Sequence, residues 1–260
     1  MAASKKGKAG VSSPKRSPEH GLTFIVPAYN EENAISSTLA RLHKALMEQD
    51  LPFEIIVVND GSTDQTRQRA EVCDGARVID HPINTGYGSA IKSGVRVAKY
   101  DWVGIVDADG TYEIEKVGML IDKMKNGFDM VIASRYLDGA KSEDDSLITA
   151  FGNWLFTATV NVLYGGSYTD CMVIYRAWRS SLYKELDIHL DETFEFYEKL
   201  YRTKLGIEPL LSVRALKRNL KVGEIPGDEP PRIGGHRKLQ IIKWGLSFYT
   251  SFFRELWFWK

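Results

Sequence analysis

The chain has 260 residues, 43% hydrophobic and 26% charged, with 34 basic side chains against 34 acidic ones. That length supports one or two domains with a substantial core, and the composition excludes wholesale disorder and a polytopic membrane protein. Balanced charge removes any general pull toward nucleic acid, so no nucleic-acid partner is expected and charge is read segment by segment.

Cys73 and Cys171 lie far apart with no CxxC pairing, which argues against a disulfide framework or a cysteine zinc site and favours a reducing, cytoplasmic setting. Residues 1–20 carry Lys5, Lys6, Lys8, Lys15 and Arg16 among small residues and prolines, and are expected to form a disordered basic tail without a secretory signal. Leu22 to Val26 is a short apolar run ended by Pro27, after which Ile35, Leu39, Leu42 and Leu46 recur at helical spacing. A strand is predicted again over Phe53–Val58, followed by the polar turn Asn59–Asp64 and a helix through Val72. Further strands are predicted at Arg77–Asp80, Trp102–Val106 and Met130–Ala133, with helices from Gly86 to about Ala98 and over Glu113–Met124. Alternation of this kind predicts an α/β fold: a mostly parallel sheet with helices on both faces.

Ser146 to Thr169 contains no formal charge, but Thr149, Gly152, Asn153, Thr157, Thr159 and Asn161 dilute it, so a packing helix is expected rather than a membrane span of roughly 20 apolar residues. A strand over Cys171–Trp178 and a helix over Glu192–Lys204 follow. Arg214 to Lys243 holds eight basic residues against Glu224, Asp228 and Glu229, a local excess suited to a phosphate or an anionic surface. Trp244 to Phe253 is uncharged, and Leu256, Trp257, Phe258 and Trp259 extend its apolar character. Ten residues at ~1.5 Å each cross about half of a ~30 Å hydrocarbon core, so a C-terminal amphipathic helix at a membrane interface is expected, with a core or dimer helix as the alternative. The chain thus divides into the tail, a domain over 21–240 and an aromatic helix over 241–260.

In open parallel sheets, ligands bind beyond the carboxyl ends of the strands. Asp60, Asp64, Asp107 and Asp109 all follow predicted strands. Asp107-Ala-Asp109 places two carboxylates two residues apart in a segment leaving the sheet, a pair suited to Mg²⁺ or Mn²⁺ whose remaining ligands come from substrate phosphates. Helix-capping aspartates are the plainer reading of the pair taken alone. An EF-hand is rejected because Ile105 and Lys116 occupy its first and last ligand positions. Gly86-Tyr-Gly88 lacks the third glycine of a dinucleotide fingerprint and reads equally as a tight turn before a helix.

Val26-Pro-Ala-Tyr-Asn-Glu31, Val58-Asn-Asp-Gly-Ser-Thr-Asp64, Asn84-Thr-Gly-Tyr-Gly88, Asp107-Ala-Asp109 and Ser134-Arg-Tyr136, in this order, resemble family 2 glycosyltransferases of the GT-A fold. The resemblance extends over roughly Leu22 to Leu239 and is nearest to the dolichol-phosphate mannose synthase and polyprenyl-phosphate glycosyltransferase branch. It implies that Pro27, Tyr29 and Glu31 contact a nucleotide-sugar donor, that Asp60 helps hold its base or ribose, and that Asp107 and Asp109 bracket the metal and diphosphate. Ser134, Arg135, Arg232 and Lys238 match acceptor-phosphate positions, with Asp170 and Arg176 nearby in the pattern. Asn59 replaces the first of two adjacent acids, and Thr111 stands where a glutamine is common.

The implied reaction is an inverting transfer from a nucleotide-diphosphate sugar to a polyprenyl phosphate at a membrane surface, by a peripherally associated, metal-dependent enzyme with Asp107, Asp109 and Arg135 as catalytic residues. A phosphate monoester, whose second pKa is about 6, is already ionised and needs no protein base. Arg135, Arg232 and Lys238 are chemically suited to hold it. A hydroxyl acceptor would instead need a base such as Asp191, Glu192 or Glu195. A noncatalytic nucleotide-sugar-binding membrane scaffold is the alternative of another class.

Overall fold

The computed structural model describes residues 19–233 and 241–259. In chain order the elements are β1 (Glu19–Ala28), α1 (Ile35–Met47), β2 (Phe53–Asp60), α2 (Thr66–Glu71), β3 (Ala76–His81), α3 (Tyr87–Arg96) and β4 (Tyr100–Ile105). A short turn, Ile114–Lys116, leads into α4 (Val117–Lys125), followed by β5 (Met130–Ser134), α5 (Leu147–Tyr164) and β6 (Arg176–Arg179). The chain then forms α6 (Leu182–Glu185), α7 (Glu192–Tyr201), α8 (Glu208–Lys217), β7 (Val222–Pro226) and α9 (Ile241–Phe258).

Seven strands form one sheet in the order β3-β2-β1-β4-β6-β5-β7, and β6 alone among them runs antiparallel to its neighbours. The central strand β1 is buried from Leu22 to Ala28, the continuous apolar run of a strand covered on both faces. Ile25 and Phe24 point to opposite faces because strand side chains alternate. On the Ile25 side α3 comes so close that a Cβ at Gly94 would lie 2.7 Å from Ile25 Cγ2, so only glycine permits that approach. On the other side Phe24 packs at 6.2 Å from the Tyr175 ring, whose hydroxyl donates to the Ile114 carbonyl at the start of the α4 region.

The α/β architecture matches the sequence expectation, with four differences. The sheet begins at Glu19, two residues inside the expected tail, where His20 meets Asp101 at 3.1 Å; residues 1–18 lie outside the described residues. The strand expected from Cys171 starts at Arg176, because the backbone before it is committed elsewhere, Cys171 N–H to Thr157 and Met172 N–H to Asp170. The basic stretch from Arg214 holds the end of α8 and β7, and Arg214 is buried in a two-pronged pair with Glu255 of α9 at 2.8 and 2.9 Å.

The fourth difference concerns the two apolar helices. α5 buries only Thr149, Thr157 and Val160, while Leu147, Ile148, Phe151, Trp154 and Val162 are exposed, so the expected packing helix turns much of its apolar surface outward. Among the described residues it is the one helix long and apolar enough to cross a membrane by length and composition. α9 packs on α5, α7 and α8, burying Phe248, Phe252 and Trp259 and exposing Trp257 and Phe258. It therefore fits the alternative of a core helix and leaves an aromatic outer edge exposed.

Candidate active site

β1, β2 and β3 run parallel, β4 returns to the opposite side of β1, and β5 and β7 share the same direction. The reversal of strand order beside β1 opens a crevice where the carboxyl ends of β1 and β4 diverge. A cleft of about 1050 Å³ lies there. It is lined by Pro27, Tyr29, Glu31, Asp60, Asp107, Asp109, Arg135 and Arg232, residues separated by as much as 205 positions along the chain and brought to one rim by the parallel topology.

Of the residues expected to meet a donor, Pro27 belongs to the end of β1 and Asp60 closes β2. Asn30, in a left-handed turn with φ 53°, accepts from Thr63 N–H at 2.8 Å while Ser62 accepts from Asn30 N–H at 3.0 Å, tying the two strand-end loops together. Asp60 Oδ1 accepts from the Thr85 N–H at 2.9 Å and hydroxyl at 2.8 Å and lies 2.6 Å from His81 Nδ1, while Oδ2 accepts from Gly86 N–H at 2.8 Å. Burial alone would raise this carboxyl, but donation by Thr85, His81 and Gly86 outweighs it and holds Asp60 below its ordinary range. Gly86, at φ 96°, adopts the backbone that lets this loop turn into α3. Asp60 is thus saturated by protein donors and anchors the 84–88 loop along the cleft.

At the end of β4, Asp109 Oδ1 accepts from the Thr111 N–H and hydroxyl at 3.1 and 2.8 Å, and Oδ2 pairs with Arg232 Nη1 at 2.7 Å. Arg232 reaches this acid because Ile233 N–H donates to the Asp109 carbonyl at 3.2 Å, laying the segment after β7 across the turn. Burial, then the Asp109 carboxylate, then Glu208, push Asp107 well above its ordinary range. Two crowded acids with substrate-facing space suit a hard divalent cation that takes its other ligands from phosphates. Among the described residues, no three metal-binding side chains cluster closely enough to form an all-protein cage.

The acceptor-side residues divide. Arg135 lines the cleft, but its Nε and Nη2 donate to Asp170 at 2.6 and 3.1 Å and its Nη1 to Glu229 at 3.2 Å. Burial opposes its charge; Asp170 and Glu229 outweigh burial and hold it firmly protonated. Ser134 is not brought to the cleft: it is fully buried, 2.5 Å from the Thr169 hydroxyl. Arg176 is also buried away from the lining, with Nη1 donating to Ser212 and to the Glu208 carbonyl at the start of α8. Lys238 lies outside the described residues. Of the three acids considered as bases, Asp191 pairs with Lys92 and, like Glu192, lies outside the lining, while Glu195 sits on the lip paired to Lys199.

Several lining residues carried no separate signal. Lys199, Arg202 and Lys204 line the cleft at the end of α7, with Lys199 paired to Glu195 and Lys204 to Glu198, and Glu229 and Asp144 flank the arginines. Tyr87 and Glu208 lie deeper; burial raises Glu208, with Arg176 opposing. Gly86-Tyr-Gly88 did mark the loop carrying Tyr87, whereas Glu208 has no motif of its own. Ile148, Phe156, Trp244 and Phe248 from α5 and α9 add apolar surface to the lining.

The family model described as glycosyl transferase family 2 matches residues 23–187. A dolichol-phosphate mannosyltransferase of Pyrococcus furiosus is 35% identical over 126 residues, 47% of this chain and 35% of that protein, so the chain spans about a third of that relative. An undecaprenyl-phosphate mannosyltransferase of Micrococcus luteus is 27% identical over 235 residues, covering 86% of this chain and 93% of the relative. The solved structure of glucosyl-3-phosphoglycerate synthase from Mycobacterium tuberculosis with Mg²⁺ and UDP is similar with a TM-score of 0.61 at 16% identity, over 90% of this chain and 79% of that one. That likeness shows the shared GT-A fold. The family match covers more than half of the residues and includes the strand-end acids, and the chain belongs to glycosyl transferase family 2.

Proposed function

We propose that this chain is an inverting glycosyltransferase that moves a sugar from a nucleoside-diphosphate donor to the phosphate of a polyprenyl phosphate at a membrane surface, with Mg²⁺ or Mn²⁺ held by Asp107 and Asp109. The observation that carries this reading is one cleft combining a close acid pair, two arginines and apolar surface. Relatives covering most of this chain bear the names undecaprenyl-phosphate mannosyltransferase and dolichyl-phosphate hexose transferase, which supports the lipid phosphate as acceptor.

When bound, the cation supplies charge neutralisation for the departing diphosphate. Pro27, Tyr29 and Glu31 form the donor wall, and Asp60 acts through the loop it anchors. Arg232, the more exposed arginine, is assigned to the acceptor phosphate together with Lys238. Arg135, committed to Asp170 and Glu229, supplies a fixed polar wall rather than free charge, and Ser134 lies buried behind it. An ionised phosphate attacks without a protein base, so its orientation and the preorganised charge around it dominate the rate.

The test is release of nucleoside diphosphate from a donor panel with Mg²⁺ or Mn²⁺, in the presence of a short polyprenyl phosphate, the matching polyprenol, or neither. Release stimulated by the phosphate alone is expected, with Asp107→Asn lowering it about 100-fold or more. Equal release with polyprenol identifies a hydroxyl acceptor, and donor binding without stimulated release across the panel identifies a scaffold; either result overturns the proposal.

A further inference from the structure

Tyr87 heads α3 and Glu208 heads α8, yet both line the floor of the same cleft. The two helix entries touch tightly. A Cβ at Gly88 would sit 2.0 Å from the Leu205 carbonyl oxygen, and one at Gly206 would sit 2.3 Å from Glu208 Oε2 and 3.5 Å from the Tyr87 ring. Glycine at 206 therefore lets a carboxyl and a phenol converge. Glu208 is 3% exposed, and its carboxyl and the Tyr87 hydroxyl face each other; beyond that mutual interaction, neither Glu208 Oε1 nor the Tyr87 hydroxyl has a close hydrogen-bond partner among the described residues. Buried polar atoms are nearly always well paired in folded chains, and a carboxyl and a phenol that have only each other in a cleft wall keep capacity for a further partner from outside.

The chemistry narrows that partner. A second metal ion is disfavoured, since no three acidic, histidine or cysteine side chains cluster among the described residues. A phosphate is disfavoured as well, because a carboxyl beside a phenol would repel an anion. A hydroxyl meets both needs: it donates to the carboxyl and accepts from the phenol. We infer that Tyr87 and Glu208 form the pocket that reads the hydroxyls of the sugar being transferred, and so set donor-sugar specificity. This rests on the donor reading above, in which Asp107 meets the cation and diphosphate and the glycosyl unit lies beside them. Arg176 positions the pocket by donating through Nη1 to the Glu208 carbonyl at 3.2 Å.

The experiment compares Glu208→Gln and Tyr87→Phe with the unaltered chain by calorimetry in Mn²⁺, titrating GDP, GDP-mannose, UDP, UDP-glucose and deoxy-sugar versions of the better donor. Both variants are expected to bind the nucleoside diphosphate within two-fold of the unaltered chain and the nucleotide sugar about ten-fold more weakly. One deoxy donor is expected to lose about ten-fold on the unaltered chain and little on a variant, a coupling that general loosening does not produce. Parallel loss of diphosphate and sugar binding makes the pair merely structural, and unchanged sugar binding puts the sugar elsewhere; either overturns the inference. Failure of the unaltered chain to bind any nucleoside diphosphate removes the donor reading itself and the inference with it.

Discussion

Asp60 is an acid whose value lies in its partners. Its two oxygens engage Thr85, His81 and Gly86, and through them hold the loop that begins α3 against the end of β2. Replacing it with asparagine keeps the shape but exchanges acceptor lone pairs for an N–H₂ facing donors, a loss of about 1–3 kcal/mol for a buried group. The sign of its pH dependence follows from its lowered pKa. The native carboxylate contributes stability fully above the unfolded value of 3.8 and loses it as pH falls through the lower folded value. Asp60→Asn is therefore expected to be less stable near neutrality, with the gap to the unaltered chain closing as pH falls below 3.8. Urea unfolding followed across that range checks it; a gap independent of pH would show that the charge of Asp60 is not what holds the loop.

At the scale of elements, α5 and α9 both contribute to the cleft and also expose aromatic residues, with Trp154 62% and Trp257 69% exposed. Exposed side chains like these contribute little to folding, usually within about 0.5 kcal/mol, whereas indole rings favour the membrane interface. Trp154→Ser combined with Trp257→Ser is expected to lower sedimentation with anionic liposomes several-fold while leaving the unfolding midpoint nearly unchanged. Unaltered sedimentation would remove these helices from membrane contact. Deleting residues 244–260 is a poorer test, because it would strip Glu255 from buried Arg214 and uncover the Phe248 and Phe252 surface. These two helices also show where sequence patterning runs out. Apolar runs at Leu22, Phe53 and Trp102 announced the parallel strands because strands covered on both faces have little choice of composition. The acids that follow them were legible for the same reason: Asp60, Asp107 and Asp109 stand where strand runs stop. An uncharged helix, however, reads alike whether its apolar side meets the core or a lipid surface, so the outward turn of α5 was not legible. The pairing of Arg214 with Glu255 joins positions 41 apart across packed helices, and no local pattern records it. For the same reason the α8 acid that lines the cleft, Glu208, was missed, while the loop bearing Tyr87 was marked by its glycines.

Across the whole molecule, the cleft is assembled from segments running from Pro27 to Arg232, and the last of these reaches back to Asp109. Two acids at one strand end repel each other, and Arg232 supplies the opposing charge from the far end of the domain. A divalent cation and a nucleoside diphosphate in the proposed site would add contacts among the strand-end segments that Asp109 and Arg232 already link. Because all these segments belong to one sheet, the stabilisation is expected to appear as a property of the domain. At 100 times the dissociation constant, binding contributes about 2.7 kcal/mol, and a chain of this size gains roughly 2–4 °C per kcal/mol, so Mn²⁺ with the preferred nucleoside diphosphate should raise the midpoint by about 5–10 °C. Amide exchange should slow together at 27–31, 84–88, 107–112 and 229–233, while Mn²⁺ alone gives a smaller effect because half of the ligand set is missing. Protection confined to a single one of those stretches, with no shift in midpoint, would mean that the strand-end residues share a cleft without acting as one site.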